Sequence, residues 1–450
     1  MDNSGRMWFL ADMSKSFRPW DVDQAWLFPP SVRDLVPPDH LAHLIRDTVR
    51  DSLDLSEILA AYDEERGYPP YHPAMMTALL LYGYSQGVYS SRRLAKACQE
   101  RVDFMAVTAM QTPDFRTISD FRKRHHEALA NLFGQVLGLC QRAGLVRLGH
   151  VALDGTKIKA NASRHKAMSY GRMKVEVPRL AAEVKRWFKE ADKVDRSEDK
   201  QHGPTRRGDE MPSWVANKQE RLAKMREAMA AMESEAREGK PTDGTRGGRA
   251  GGKSEREPGT PPDRAQRNFT DPESRIMLSK EGFIQAYNPQ LAVDSEHQII
   301  VARDVTTSAA DVGQLIPMVT QIETNTGHLP EELSADAGYC SEENLGELRR
   351  RRIKGYIAIG RLKHGAKAPR AHRGKPAGPL VLDMWAKLKR GGYRSRYRLR
   401  KQIVEPAIGQ IKQARSFRQF LLRGVAKVRS EWSLVCTAHN LLKWAAATTA

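Results

Sequence analysis

The sequence predicts an α/β protein in which a helical N-terminal segment precedes a mixed sheet flanked by helices. Three observations lead there. Residues 1–145 carry apolar runs at helical spacing between cap signals. From residue 146 the texture changes to alternating or continuous apolar runs of strand length. A highly polar stretch over residues 164–264 then divides the first of those runs from the rest.

In the helical segment, HPAMMTALLLYGYSQGVYSSRRLAKACQERVDF places Pro73 at a first helical position, runs apolar to Gly87, and restarts after Ser90 or Ser91 as an N-cap. The second of these helices turns Arg92, Arg93, Lys96 and Arg101 to solvent. A third is expected to open at Thr117, with Asp120 three residues on, close to a capping box. It carries Arg122, Lys123, Arg124, His125 and His126. Helix, short turn and helix with a basic face suit a module that grips DNA. The plain alternative is a helical bundle with a solvated basic face.

HVALDGTKIKA reads as a strand, and GFIQAYNPQLAVD (residues 282–294) and HQIIVARDVTT (297–307) as two more, joined tightly at Ser295 and Glu296. An amphipathic helix over 309–323, a strand in LSADAGY (333–339), a helix near 341–352, a strand in GYIAIG (355–360) and a final helix follow. Three strands in a meander, then helix, strand, helix, strand and helix is the order of a ribonuclease H-like fold. It divides the chain into a helical domain, 1–145, and an α/β domain, 146–450. The interruption at 164–264 has helical patterning over 173–193 and 214–238 and a tail of Gly, Pro and charge. It predicts a helical hairpin plus a partly disordered arm inserted after the first strand. RLKHGAKAPRAHRGKPAGPL (361–380) reads as a second, basic Gly/Pro loop.

Lys plus Arg number 73 against 54 Asp plus Glu, a formal net charge of +19 over 450 residues. Such an excess points to a polyanionic partner, because each phosphate contact releases condensed counterions. No apolar run approaches the ~20 residues that span a bilayer, and the N-terminus lacks the apolar stretch of a signal peptide. The expectation is a cytoplasmic, nucleoid-associated protein with no membrane partner. Cys98, Cys140, Cys340 and Cys436 form no Cys-x-x-Cys pair and read as small apolar residues.

Three acids stand out by context. Asp154 sits in an apolar strand, where a carboxylate is costly unless paired or metal-bound. Asp336 repeats that situation before Ala337, Gly338 and Tyr339. Glu405 follows Ile403 and Val404 in the basic segment YRSRYRLRKQIVEPAIGQIKQAR. Phosphodiester cleavage and strand transfer need an activated oxygen nucleophile and a stabilised leaving oxygen, which two Mg²⁺ ions ~3.5–4 Å apart supply together. Mg²⁺ takes hard oxygen ligands and keeps several waters, so a few carboxylates suffice. On a helix through Glu405, Arg398, Lys401, Ile408 and Lys412 share its face. Pro406 would kink that helix or mark its first turn.

VALDGTKIKANAS, SADAGY and YRLRKQIVEPAIGQIKQARSFRQFLLRG…EWSLVCTAHNLLKW resemble the blocks of bacterial insertion-sequence transposases of the DDE class. The branch is the one with a Tyr-Arg-Glu-Lys signature beside its catalytic glutamate. HPAMMTALLLYGYSQGVYSSRRLAKAC with DFRTISDFRKRH is similar to the N-terminal domain of those proteins, and NFTDPESRIM and FIQAYNPQLAVD look like further family blocks. The resemblance covers nearly the whole chain outside 164–264. It implies that Asp154, Asp336 and Glu405 are catalytic and hold two Mg²⁺, with Mn²⁺ able to substitute. The signature Lys falls on Lys412. The Tyr and Arg fall on Tyr397 and Arg400, one residue earlier than the usual spacing, where Arg398 and Lys401 stand; one residue is ~100° of helix rotation. The implied partners are double-stranded DNA, as terminal inverted repeats and target, and a second copy of the chain on that DNA. Lys412, Arg400, Tyr397, Arg92, Arg93, Lys96, Arg122, Lys123 and Arg124 are the candidate DNA contacts. The implied activity is cleavage at the element's ends and strand transfer. Its rivals are a ribonuclease H-like nuclease that only hydrolyses and a non-catalytic DNA-binding derivative.

Other residues compete for these roles. Asp294 and Asp304 read as turn or strand-end residues, and Asp271 as a turn former. Asp311 reads as an acid suited to a helix N-terminus. His439 reads as a hydrogen-bonded core histidine. Residues 349–352, all Arg, suit either DNA or a helix C-terminus.

Overall fold

Pro73 has no N–H to donate, so it opens a helix at no cost. The run behind it is apolar on every side and must be buried on every side. In the computed structural model, which describes residues 31–62, 70–202, 213–238, 259–279, 282–359 and 378–448, both conditions hold. The helical segment forms α1 (Leu41–Asp51), α2 (Ser56–Leu59), α3 (Pro73–Ser85), α4 (Ser91–Glu100), α5 (Val102–Thr108), α6 (Phe115–Arg124) and α7 (His126–Arg142). Every residue of α3 from Met76 to Ser85 is buried. The His72 side chain accepts from the Ala74 N–H, which satisfies one of the orphan donors at the start of α3.

After β1 (His150–Gly155) and β2 (Ile158–Lys159), the chain enters the polar stretch. There β3 (Ala167–Ser169) pairs with β4 (Gln266–Asn268) at the base of two long helices, α8 (Tyr170–His202) and α9 (Ser213–Arg237). The hairpin has a small core of its own, including Tyr170, Met173, Leu180, Leu222, Met225 and Met232. The Gly-rich tail over residues 239–258 and most of the basic loop over 361–380 lie outside the described residues.

The sheet is mixed. The chain continues through β5 (Arg275–Ser279), β6 (Gly282–Asp294), β7 (Ile300–Thr306), α10 (Leu315–Thr326), β8 (Glu332–Ala335), α11 (Glu342–Arg350) and β9 (Lys354–Ile357). It ends with α12 (Pro379–Gly391), α13 (Leu399–Gly409) and α14 (Val425–Thr448). β1 lies between β6, antiparallel, and β8, parallel; β9 continues the parallel side, and β7, β5 and β2 pair with β6. α14 packs against α3, α7 and β7. One hydrophobic cluster therefore runs from Ala42 through the sheet to Leu441. Cys98, Cys140 and Cys436 are buried in it.

Several local expectations are corrected. The connection from β6 to β7 spans residues 295–299 rather than two residues, because the Asp294 carboxylate accepts from Leu148 N and Glu296 N and turns the chain outward. The helix expected over 309–323 begins at Leu315, behind a 3₁₀ turn, Val312–Gln314. α6 starts at Phe115 rather than Thr117: Asp114 is the cap, accepting from the N–H groups of Arg116 and Thr117.

Arg122 is also corrected, from a DNA contact to a buried structural cation. It is 5% exposed and donates to Tyr84 Oη (3.2 Å), Tyr89 O (3.0 Å) and Ser91 Oγ (3.4 Å). It also offsets the charge of the buried Glu431 on α14. In a run of four basic or aromatic neighbours, helical phase points this one inward. Arg93, by contrast, is exposed. Arg122→Ala strips partners from a buried phenol, carbonyl and carboxylate, and is expected to cost about 3 kcal/mol in urea unfolding. Arg93→Ala is expected to stay within about 0.5 kcal/mol.

Candidate functional site

Strand register brings the two aspartates together. Leu153 on β1 pairs with Ala335 on the parallel β8, so Asp154 and Asp336 occupy the next positions, side by side at the strands' C-terminal ends. Asp336 lies just past β8 and caps the short turn Ala337–Tyr339, accepting from Gly338 N at 2.8 Å.

Glu405 comes from α13, which packs over β1 through its apolar side, with Ile403, Val404 and Ala407 buried. Pro406 sits inside this helix rather than at either end. It removes the N–H that would bond to the Gln402 carbonyl. The side-chain amide of Gln298 takes that place, donating to Gln402 O at 3.2 Å. The helix then continues as a π turn, Gln410–Ala414, which carries Lys412.

Arg400, itself on α13, ties Glu405 of that helix to Asp154 of β1. Its guanidinium donates to Asp154 Oδ2 at 2.6 Å and to Glu405 Oε1 at 2.9 Å, and its side chain is 12% exposed. Tyr397 is among the groups holding its charge. A residue one place early in a helix is tolerated here because the long, forked guanidinium spans the difference. Lys401 and Arg398, at the usual spacing, are exposed. Among the described residues, no three acidic, His or Cys side chains converge at metal-ligating distance. The Arg400 cation stands between Asp154 and Glu405 instead.

Lys412 is half-buried against the loop that follows Asp154, donating to Thr156 Oγ1 at 3.0 Å and Lys157 O at 3.1 Å. The π turn brings it there, so its ammonium points at the chain beside the site rather than into open solvent.

Asp311 does not cap a helix with its side chain. It is drawn to the end of the sheet, where its Oδ1 accepts from Asn288 Nδ2 (2.6 Å), Gln290 Nε2 (3.1 Å) and Lys157 Nζ (3.3 Å). Buried Tyr339 donates to Gln290 Oε1, which orients that amide. Sequence reasoning passed over this network. Its one signal was Asn288 and Gln290, two amides spaced two apart in a largely buried strand, hence on one face.

The remaining acids have other duties. Asp304 pairs with Arg429 at 2.9 Å. Asp271 is buried and accepts from Tyr287 Oη and Gly424 N. Arg350 and Arg351 are both claimed by Glu347. His439 is fully buried; burial first, and then neighbouring Arg415, push its imidazole down to about 3. Its Nε2 donates to Gln298 O and its Nδ1 accepts from Arg415, so it is a neutral core histidine.

The helical segment reaches the site through one turn. Tyr89 Oη donates to Arg415 O at 2.9 Å, and its ring meets Phe417 edge-on. Gly87, at φ 71°, lies so close that a Cβ would stand 2.8 Å from Arg415 O. From this dock α4 and α6 present exposed Arg92, Arg93, Lys96, Lys123 and Arg124. Arg92 lies over the Phe115 ring, Lys96 pairs with Glu100 and Lys123 with Asp120.

Two family models match the chain: "Transposase domain (DUF772)" over residues 30–124, and "Transposase DDE domain" over 264–441. The first covers the helices that dock on the site; the second covers Asp336 and Glu405. Both describe transposases, and the chain belongs to the DDE transposases of insertion sequences. No curated protein and no solved structure matches it significantly.

Burial raises the Asp154 carboxyl to about 6, with Arg400 opposing and Asp336 adding to the rise. In the unfolded chain the carboxyl ionises near its ordinary value of 3.8, so the fold favours the protonated form. That contribution is complete below 3.8 and is lost as pH rises through about 6. In metal-free protein, the stability advantage of Asp154→Asn over the parent is therefore expected to grow between pH 4 and 6.5. Urea unfolding across that range checks it; a constant difference contradicts it.

Proposed function

We propose that this transposase binds the ends of its own mobile element, cuts the DNA there and joins the freed 3′-hydroxyls to a target. The carrying observation is that strand register sets Asp336 beside Asp154, while one guanidinium bridges Asp154 to the helix glutamate Glu405. In this reading residues 146–450 form a ribonuclease H-like catalytic domain, a reading supported by the strand order β7–β6–β1–β8–β9. Residues 1–145 carry the DNA-binding helices.

Asp154, Asp336 and Glu405 would hold the two Mg²⁺. The donor set is all carboxylate oxygen, and the guanidinium that Asp154 and Glu405 share supports reading the site as one that takes a cation. Once bound, the ions supply Lewis-acid activation of the attacking oxygen and stabilisation of the leaving one. The chain's own residues do the rest. Arg400 releases its carboxylates and turns to a DNA phosphate, for which its planar fork is suited. Tyr397 stays beside it. Lys412 fixes the loop after Asp154 and presents a point charge to the same strand. Arg92, Arg93, Lys96, Lys123 and Arg124 hold the flanking duplex through phosphates, positioning rather than specifying it. Two ends must be cut together, so the working form on DNA is a dimer.

Asp154→Asn, Asp336→Asn and Glu405→Gln are each expected to lower Mg²⁺-dependent cleavage of DNA carrying the gene's flanking ends by roughly 10³-fold or more. Because the ligands act as a unit, each single loss approaches the triple. Gel-shift binding of the same DNA stays near the parent's. Near-parental cleavage by any one variant removes that residue from the centre, and hydrolysis without joined product leaves a nuclease rather than a transferase.

A further inference from the structure

Gly155 and Gly338 each follow, by one or two residues, an aspartate of the site, and the same third carboxylate presses against both. A Cβ on Gly155 would stand 2.9 Å from Asp311 Oδ1, 2.5 Å from Gln290 Nε2 and 3.0 Å from Asn288 Oδ1. A Cβ on Gly338 would stand 3.2 Å from Asp311 Oδ2 and 3.0 Å from Asp336 Oδ1. At Gly155 a methyl group would push these polar tips aside, and at Gly338 it would sit tighter than ordinary contact. The Asp311 carboxylate thus packs against both glycines, between the chain leaving β1 and the chain leaving β8.

The two oxygens of Asp311 are treated differently. Oδ1 takes three donors, from Asn288, Gln290 and Lys157. Oδ2 lies toward Gly338, 3.2 Å from where a Cβ would stand, and that same Cβ would stand 3.0 Å from Asp336 Oδ1. Asn288 and Gln290 are fully buried on β6, and the Asn288 Oδ1 atom has no hydrogen-bond partner while lying beside Gly155. Burying amides to hold a carboxylate beside another carboxylate opposes folding, since like charges repel and buried polar groups lose water. A site that must attract a cation would keep such a charge.

We propose that Asp311 is a positioning residue of the catalytic centre. It acts through Asp336, bracing the turn that carries it and adding a negative charge, which Lys157 offsets from the Oδ1 side only, that strengthens cation binding there. This rests on the two-metal reading of Asp154, Asp336 and Glu405.

Asp311→Asn separates charge from shape. Its carbonyl oxygen still accepts from Asn288, Gln290 and Lys157, so the brace remains and only the charge goes. Mn²⁺ binding to the full-length, DNA-free protein, measured by electron paramagnetic resonance and calorimetry, reads the effect. Asp311→Asn is expected to melt close to the parent and to bind Mn²⁺ about tenfold more weakly, the usual size for residues behind a metal's ligands. Gly338→Ala, which crowds Asp311 and Asp336 without touching charge, is expected to weaken Mn²⁺ as well. Parental Mn²⁺ affinity in Asp311→Asn overturns the proposal and leaves Asp311 a purely structural acid, and parental affinity in Gly338→Ala overturns the bracing of Asp336. Asp154→Asn is the control: if it too binds Mn²⁺ as the parent does, the metal reading itself falls.

Discussion

The main core of the molecule is built around one buried helix. α14 is buried almost without interruption from Val428 to Leu441, against α3 and α7 on one side and β7 on another. Each large apolar side chain so buried contributes ~1.5–3 kcal/mol relative to exposure. An apolar helix of this kind cannot face water, so the N-terminal helices and the sheet must close over it together. That is why one core crosses the boundary between the helical segment and the sheet.

The polar groups on α14 turn this burial into position. Trp432 Nε1 donates to Gln290 O on β6. The Asn440 amide pairs with both Ile300 N and Ile300 O, occupying the outer edge of β7 at its first residue. Glu431 accepts from Leu421 N and Leu422 N, fixing the segment that returns from the π turn. Ser433 donates to Ala130 O on α7. The strand bearing Gln290, the loop behind Lys412 and α7 are thus all set from one element.

Much of this was legible in the residues. β6 has a Gly start and an Asp end around apolar and amide residues, and its expected bounds match the strand. Asp154 and Asp336 could be singled out because an acid at the end of a short apolar strand has few structural excuses. What could not be read depends on side chains meeting across the chain. Arg122 looks like its neighbours Lys123 and Arg124, and only Tyr84, Tyr89 and Glu431 reveal it as internal. Asp311 reads as a helix-start acid until Asn288, Gln290 and Lys157 are brought to it. Arg400 is out of phase by helical spacing, yet its length recovers the contact. The loop at 295–299 and the helix start at Leu315 were missed for a shared reason: carboxylates, Asp294 and Asp311, are used there for tertiary bonds instead of local capping.

The central claim is that the acidic side chains of β1, β8 and α13 form a metal centre whose place is held by Arg400. Diffraction from crystals grown with saturating Mn²⁺, recorded at the manganese edge, tests it most directly. The account predicts anomalous peaks ligated by Asp154, Asp336 and Glu405, with the Arg400 guanidinium withdrawn from Asp154. Anomalous peaks elsewhere, or an unchanged Arg400 bridge with no manganese beside it, would contradict the account.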